Sequence, residues 1–132
     1  MKIVIAPDSF KESLSASEVV NAIEAGFVEV LPNAEVLKLP VADGGEGTTE
    51  ALVSATQGRY FSTQVVGPMG VAVNASWAIL GNSKTAVIEV AKACGLSLVP
   101  LENRNPLLAT SQGVGELILA ALNEGANHII VG

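Results

Sequence analysis

The stretch that decides the fold is residues 3–20, IVIAPDSFKESLSASEVV. Its first four residues are apolar and mostly β-branched, which predicts a buried strand over Ile3–Ala6. Ser15, with Glu18 three residues later, forms the capping-box pattern of a helix start. Apolar residues then recur at helical spacing until Pro32, which predicts the end of that helix.

The same order of elements follows once more along the chain. Val36–Val41 predicts a second strand, and the turn DGGEG comes at residues 43–47. Thr48 or Thr49 is expected to cap a second helix, which Gly58 ends in a left-handed conformation. Strand, helix and strand in this order predict an α/β fold with a parallel pair and a right-handed crossover.

The middle of the chain has a different pattern. Residues 60–66, 71–80 and 85–90 are strand-like and are joined by short turns rich in glycine. We therefore expect antiparallel hairpins over residues 59–104, which form either a separate subdomain or a β-excursion from the main sheet.

The last part, residues 105–132, predicts a helix and a strand. Asn105-Pro106 is expected to open a helical stretch with proline at its first position, and Gly125 to end it. His128–Val131 predicts a final strand. The chain stops directly after this strand, which fits either a fragment of a longer protein or a C-terminal strand.

Composition narrows the class of protein. The 132 residues carry a net charge of -6 with scattered lysines and arginines, which argues against nucleic-acid and anionic-membrane binding. The single cysteine, Cys94, excludes an internal disulfide and indicates a reducing compartment. No apolar stretch is long enough for a transmembrane helix.

The two strand-end turns are the candidate chemical sites. In the first, Asp8, Ser9 and Lys11 could act on a hydroxyl, a metal or an anion. In the second, the glycines of residues 43–47 let the backbone approach a ligand closely. The acids Asp43 and Glu46 would repel a bare anion, so a metal-bridged or hydroxyl-bearing ligand is favoured. The alternative is that both segments are only turns.

A third candidate lies at residues 105–116, NPLLATSQGVGE. Thr110 and Ser111 are suitable helix caps, and Gly113 and Gly115 suggest a close approach of another backbone or a ligand. The segment matches neither a dinucleotide fingerprint nor a Walker loop. Close packing of a helix start on the sheet is an equal alternative.

These three segments together resemble the bacterial glycerate kinase family, of the glycerate 2-kinase type. The motifs are APDSFKESLSA at residues 6–16, PVADGGEGT at 40–48 and NPLLATSQGVGELI at 105–118. The resemblance implies a flavodoxin-like parallel sheet with helices on both faces, with a second α/β domain inserted in it. Residues 1–58 would begin the first domain, 59–104 would be the hairpin-rich insertion, and 105–132 would lead to a glycine-rich loop beyond this chain.

The resemblance also implies an activity, the ATP-dependent and Mg²⁺-dependent phosphorylation of D-glycerate in the cytoplasm. Family members continue past the equivalent of Gly132, so it implies a truncated, inactive chain that needs the rest of the enzyme. It leaves a homo-oligomer and the phosphorylated hydroxyl open, with 2-phosphoglycerate favoured. The rivals are a non-catalytic module that binds small organic acids and a domain that serves only in assembly.

The residues carried over by motif fall into three groups. The expected catalytic residues are Asp8, Lys11 and Asp43. Asp8, Asp43 or Glu46 is the expected metal ligand, with the choice left open. The expected substrate-binding residues are Ser9, Gly44, Gly45, Glu46, Gly47, Thr48, Thr110, Ser111 and Glu116.

Overall fold

The structure is a computed structural model that describes residues 1–10, 13–81 and 84–132. It divides into two compact units, residues 1–51 and 52–132. Within the described residues, none of the helices is long and apolar enough to cross a membrane. The mixed α/β class that the sequence predicts is confirmed, whereas the domain boundaries at residues 58 and 104 stay predictions for the longer polypeptide.

The first unit is built on a parallel pair of strands. β1 (Lys2–Ile5) pairs with β2 (Glu35–Lys38), and α1 (Ala16–Val30) connects them. The predicted capping box is present, because Ser15 and Glu18 each accept a hydrogen bond from the other's backbone N–H. α1 ends just before Pro32, as expected, and its buried residues are Val19 and Val20.

β2 is shorter than the predicted Val36–Val41, and Pro7 explains why. The regular ladder ends at Ile5 and Lys38. Pro7 has no N–H with which to continue it, yet its carbonyl oxygen still accepts a hydrogen bond from the Val41 N–H at 3.1 Å. The two chain segments therefore stay side by side beyond the strands.

The second helix, α2 (Thr48–Thr56), ends differently from the prediction. The left-handed residue is Gln57, with φ of 56°, whereas Gly58 does not have a positive φ. Gly58 is required for a different reason: a Cβ there would lie 2.6 Å from the carbonyl oxygen of Ile79. This glycine thus allows two backbones to approach closely, and the prediction that it is the left-handed residue at the helix end is wrong.

The second unit contains a four-stranded mixed sheet of order β3-β4-β5-β6. Its strands β3 to β5 are antiparallel, as the hairpin pattern predicted, and β6 joins β5 in parallel. The strands are β3 (Arg59–Val66), β4 (Ala72–Ile79), β5 (Thr85–Ile88) and β6 (His128–Val131). The bounds of β6 are those predicted from the sequence.

The core of this unit lies between the sheet and two helices, α3 (Val90–Cys94) and α4 (Gln112–Asn123). Trp77 is buried, stacks on Phe61 with ring centroids 4.4 Å apart, and donates a hydrogen bond to Thr63 at 2.9 Å. The chain between the helices forms two short 3-10 turns, Leu96–Leu98 and Leu101–Asn103. The buried members of the core cluster are Val65, Ala75, Trp77, Ile79, Ala86, Ile88, Ala93, Leu117, Ala121 and Ala126.

The helix that was expected to open at Asn105-Pro106 begins only at Gln112. The Asn105 side chain accepts a hydrogen bond from the Leu107 N–H at 3.0 Å, which closes a local turn instead of a helix. The Thr110 hydroxyl then accepts a hydrogen bond from the Gln112 N–H at 3.1 Å. Gly125, with φ of 88°, follows the helix end as predicted.

Candidate functional site

The first strand-end turn is organised by Asp8. Its Oδ1 accepts a hydrogen bond from the Ser9 N–H at 2.6 Å, so the carboxylate is held against the backbone three residues beyond the end of β1. The chain then turns back, and Phe10 exchanges backbone hydrogen bonds with Leu14. Lys11, an expected catalytic residue, lies outside the described residues.

The second turn is organised in the same way by Asp43. Its Oδ1 accepts a hydrogen bond from the Gly45 N–H at 2.9 Å. Gly44 and Gly47 have φ of 103° and 89°, a region that side-chain-bearing residues rarely adopt. Glu46, between them, is exposed. Glycine is therefore required by the backbone of this turn.

The parallel pair brings these two turns together. The hydrogen bond from the Val41 N–H to the Pro7 carbonyl oxygen, 3.1 Å long, joins the residue before Asp8 to the residue two positions before Asp43. Two acid-bearing turns therefore follow neighbouring strands at the same edge, where open α/β sheets bind ligands. This adjacency was the central expectation from the sequence order.

Each of the two carboxylates uses only one oxygen in its own turn. Within the described residues, the Oδ2 atoms of Asp8 and Asp43 form no hydrogen bond or ion pair. The Thr48 hydroxyl, at the start of α2, is buried and also has no hydrogen-bond partner among the described residues. The turns thus offer carboxylate and hydroxyl oxygens that the fold itself leaves unused.

These oxygens fit a hard divalent cation. Mg²⁺ is bound by oxygen ligands and keeps several waters, so that one or two carboxylates are enough when phosphate oxygens supply the rest. Within the described ranges, no group of three or more His, Cys, Asp or Glu residues could hold a metal by itself. The donor set of Asp8, Asp43 and Thr48 therefore suits a cation shared with a ligand.

The third candidate segment, in the second unit, is bonded differently. Glu116 uses both carboxylate oxygens: Oε2 accepts from the Val66 N–H at 2.7 Å and Oε1 from the Gln112 side chain at 2.8 Å. The Val66 and Gln112 hydrogen bonds lower the pKa of Glu116. The Thr110 N–H donates to the Pro68 carbonyl oxygen at 2.9 Å, whereas the Ser111 side chain forms no capping bond. The substrate-binding roles of these residues stay predictions.

The two glycines at the start of α4 differ in their surroundings. A Cβ on Gly113 would clash with the Val66 carbonyl oxygen of β3, so this glycine lets the start of α4 pack closely on the sheet, which was the equal alternative. A Cβ on Gly115 would meet nothing within 4 Å. No backbone therefore approaches Gly115 closely, and the approach of a ligand there stays a prediction.

One acid escaped the sequence analysis. Glu89 directly follows β5 and is only 1% exposed. A usable signal was present, because Glu89 directly follows the apolar run Ala86-Val87-Ile88. Cys94 is partly buried, and burial raises the pKa of its thiol.

Fold and site define an α/β protein with paired acidic turns at the carboxyl ends of parallel strands. The model of the glycerate kinase family matches residues 3–132. The glycerate 2-kinase of Escherichia coli K12 is 63% identical over 132 residues, and the glycerate kinase of Bacillus subtilis 168 is 58% identical over 132 residues. The chain belongs to the glycerate kinase family.

A solved structure supports the same assignment. The crystal structure from Salmonella typhimurium LT2 of a protein assigned as glycerate kinase 2 matches with a TM-score of 0.75 and 58% identity. The match covers 100% of this chain and 36% of that one. All of the chain is likewise matched in the two relatives above, but it spans only 35% of their length. It therefore corresponds to an N-terminal portion of these proteins.

Proposed function

We propose that this chain is the N-terminal part of a kinase that transfers a phosphoryl group from ATP to D-glycerate, with 2-phosphoglycerate as the product. Family membership supports the reaction class. The single observation that carries the site is the 3.1 Å hydrogen bond between Val41 and Pro7, which sets the two acidic turns side by side.

The proposed roles follow from which atoms the turns leave unused. Phosphoryl transfer requires mainly positioning of the two reactants and neutralisation of charge. The Oδ2 atom of Asp8 or Asp43 accepts the proton of the attacking hydroxyl, while Oδ1 fixes the carboxylate to its own turn. Lys11 binds the glycerate carboxylate or the transferred phosphoryl group as a point charge.

The second turn also gives the substrate room. Because Gly44, Gly45 and Gly47 have no side chains, ligand atoms approach this backbone closely, and Ser9 and Thr48 supply hydroxyl groups. Asp8, Asp43 or Glu46 holds Mg²⁺, which when bound neutralises the charge on the phosphate oxygens. Thr110, Ser111 and Glu116 complete the proposed substrate-binding set.

The 132 residues are proposed to act only together with the rest of the enzyme, in the cytoplasm. The chain spans about a third of the length of its relatives, and we propose that the remainder of the full-length enzyme contributes to the complete site. We therefore expect the isolated chain to show no phosphoryl transfer. A homo-oligomeric state is left open by this proposal.

The test is a kinase assay on the full-length polypeptide. ADP formation is measured with ATP, Mg²⁺ and D-glycerate, with glycerate-free and 132-residue reactions as controls. Phosphorus NMR of the product then distinguishes 2-phosphoglycerate from its 3-isomer. Binding of D-glycerate without any ADP formation would instead support a non-catalytic organic-acid module and overturn the proposal.

A further inference from the structure

The two acidic turns have a second link besides the backbone bond between Pro7 and Val41. The Ser17 hydroxyl donates a hydrogen bond to the Glu50 Oε1 at 3.1 Å. Ser17 is the second residue of α1, and Glu50 is the third residue of α2. This bond therefore joins the starts of the two helices that follow the acidic turns.

The two links lie on opposite sides of the turns. The bond from the Val41 N–H to the Pro7 carbonyl oxygen joins the two chain segments just beyond β1 and β2. The Ser17–Glu50 bond joins them again where the chain enters α1 and α2. Because the turns are connected both before and after their aspartates, the separation of the two carboxylates depends on both links.

Ser17 lies on a firmly held part of α1. The Ser15 N–H donates to the Glu18 carboxylate at 2.8 Å, and the Glu18 N–H donates back to the Ser15 hydroxyl. Val19 and Val20, which follow, are buried. Groups on regular, packed elements hold a position more precisely than groups on loops. Ser17 is therefore a suitable anchor for a neighbouring segment.

Glu50 is directly connected to the second acidic turn. The Gly47 carbonyl oxygen accepts a hydrogen bond from the Ala51 N–H at 3.0 Å, so the last glycine of the turn also opens α2. Thr48, whose hydroxyl is buried and has no hydrogen-bond partner among the described residues, is two residues before Glu50. A bond that fixes Glu50 thus also fixes the end of the turn.

Helix stability alone explains only part of this arrangement. An acid in the first turn of a helix interacts favourably with the helix dipole, which accounts for a glutamate at position 50. That role needs no partner on another helix, whereas the bond to Ser17 directs the Glu50 side chain towards α1. Precise placement matters for catalysis, because a displacement of about 1 Å can lower a rate by about 100-fold.

We propose that Ser17 and Glu50 are positioning residues, which hold the second acidic turn at the distance from the first at which both turns contact D-glycerate. Neither side chain touches the substrate in this arrangement. The inference rests on the proposed function, since it assigns the support of that same site.

The test uses the full-length polypeptide and two measurements, D-glycerate binding by isothermal titration calorimetry and kcat/KM for phosphoryl transfer. Ser17→Ala removes the donor, and Glu50→Met removes the acceptor at similar side-chain length. Each is expected to weaken binding and to lower kcat/KM by about tenfold. The double variant should be no worse than either single variant, because both changes remove one interaction.

Conservative variants separate positioning from other roles. Ser17→Thr keeps the hydroxyl and Glu50→Gln keeps an acceptor oxygen, so both should restore most of the affinity. The matched control is Ser54→Ala, since Ser54 is an exposed serine further along α2. Its substitution should change neither measurement. Urea unfolding of each variant shows whether the native fold is retained.

Several outcomes overturn the inference. Normal affinity and normal kcat/KM in both Ser17→Ala and Glu50→Met exclude the positioning role. If Glu50→Gln is as impaired as Glu50→Met, the charge of Glu50 acts directly and not through Ser17. Losses that appear only in variants that no longer fold indicate a purely structural bond.

The proposed function fails in a distinguishable way. If the unsubstituted enzyme binds D-glycerate without phosphoryl transfer, only the kinase proposal is contradicted, and the affinities of the variants still decide the role of Ser17 and Glu50. Turnover with unaffected variants contradicts only the positioning role. Absence of both binding and turnover in the unsubstituted enzyme overturns both proposals.

Discussion

The two units of the chain use their residues differently. In the first unit, the buried apolar side chains among the described residues are Ile5, Val19 and Val20. In the second, a cluster centred on Trp77 and Leu117 is fully enclosed between the sheet and α4. The first unit has the smaller core and carries both acidic turns.

This difference shows where chemistry and stability are located. The turns of the first unit are held mainly by backbone hydrogen bonds and by carboxylates bonded to their own turns. Such bonds position functional groups with little buried apolar area. The second unit gains stability by burying aromatic and aliphatic surface. Substitutions in the first unit should therefore affect mainly catalytic activity, whereas substitutions in the second unit should affect mainly stability.

The largest effect is expected from Asp43→Asn in the full-length enzyme. Asparagine still accepts the Gly45 N–H, so the turn and the free energy of unfolding should change little, by about 0.5 kcal/mol or less. The loss of the carboxylate should lower kcat/KM by about 100-fold to 10,000-fold. Lys11→Ala should lower it by orders of magnitude as well. Steady-state kinetics and urea unfolding test both statements.

The control for this change is Glu35→Gln. Glu35 is an exposed acid on β2, paired with Lys2, and lies outside the two turns. Its substitution should leave kcat/KM unchanged. Near-normal turnover in both Asp43→Asn and Lys11→Ala would contradict a catalytic role for the two turns of the first unit.

The second effect concerns the core of the other unit. Trp77→Ala deletes a buried ring that stacks on Phe61, and should lower the free energy of unfolding by about 3–5 kcal/mol. Trp77→Phe should lower it less, because a stacked ring remains, although the hydrogen bond to Thr63 and part of the buried ring volume are lost. Urea unfolding provides the measurement. Equal losses in the two variants would show that packing at this site contributes little.

The third effect uses two glycines on the same helix. Gly113→Ala places a methyl group against the Val66 carbonyl oxygen and should destabilise the chain by about 1–3 kcal/mol. Gly115→Ala meets open space and should stabilise it by about 0.5–1 kcal/mol through helix propensity. Thermal unfolding of the pair is the measurement. If the unfolding temperatures of both variants shift in the same direction, the close approach of α4 to β3 is contradicted.

The smallest effect is on the pH dependence of stability. The pKa of Glu116 is lowered in the folded state by its hydrogen bonds to Val66 and Gln112. The stabilisation is present above the unfolded-state pKa and is lost as the pH falls through the folded-state pKa. Glu116→Gln should therefore flatten the acid side of the stability curve. Thermal unfolding between about pH 7 and pH 3 tests this, and parallel curves for Glu116→Gln would contradict it.

Local sequence patterns determined much of this protein. The capping box at Ser15 and Glu18, the final strand His128–Val131 and the terminator Gly125 all follow from chemistry within a few residues. The order of strands and helices alone predicts that the two acidic turns lie at one edge of the sheet. Such features are predictable because their causes lie within a single element or its neighbour.

Only the tertiary structure decided the features that depend on distant residues. Gly58 is required by the carbonyl of Ile79, and Gly113 by that of Val66, whereas the similar Gly115 faces open space. The burial of Glu89 is evident only from the tertiary structure. In each case the deciding contact joins residues far apart in the chain. Neither the local spacing of residue types nor the composition therefore predicts it. Local chemistry therefore determined the two turns, and long-range packing determined what surrounds the buried acid.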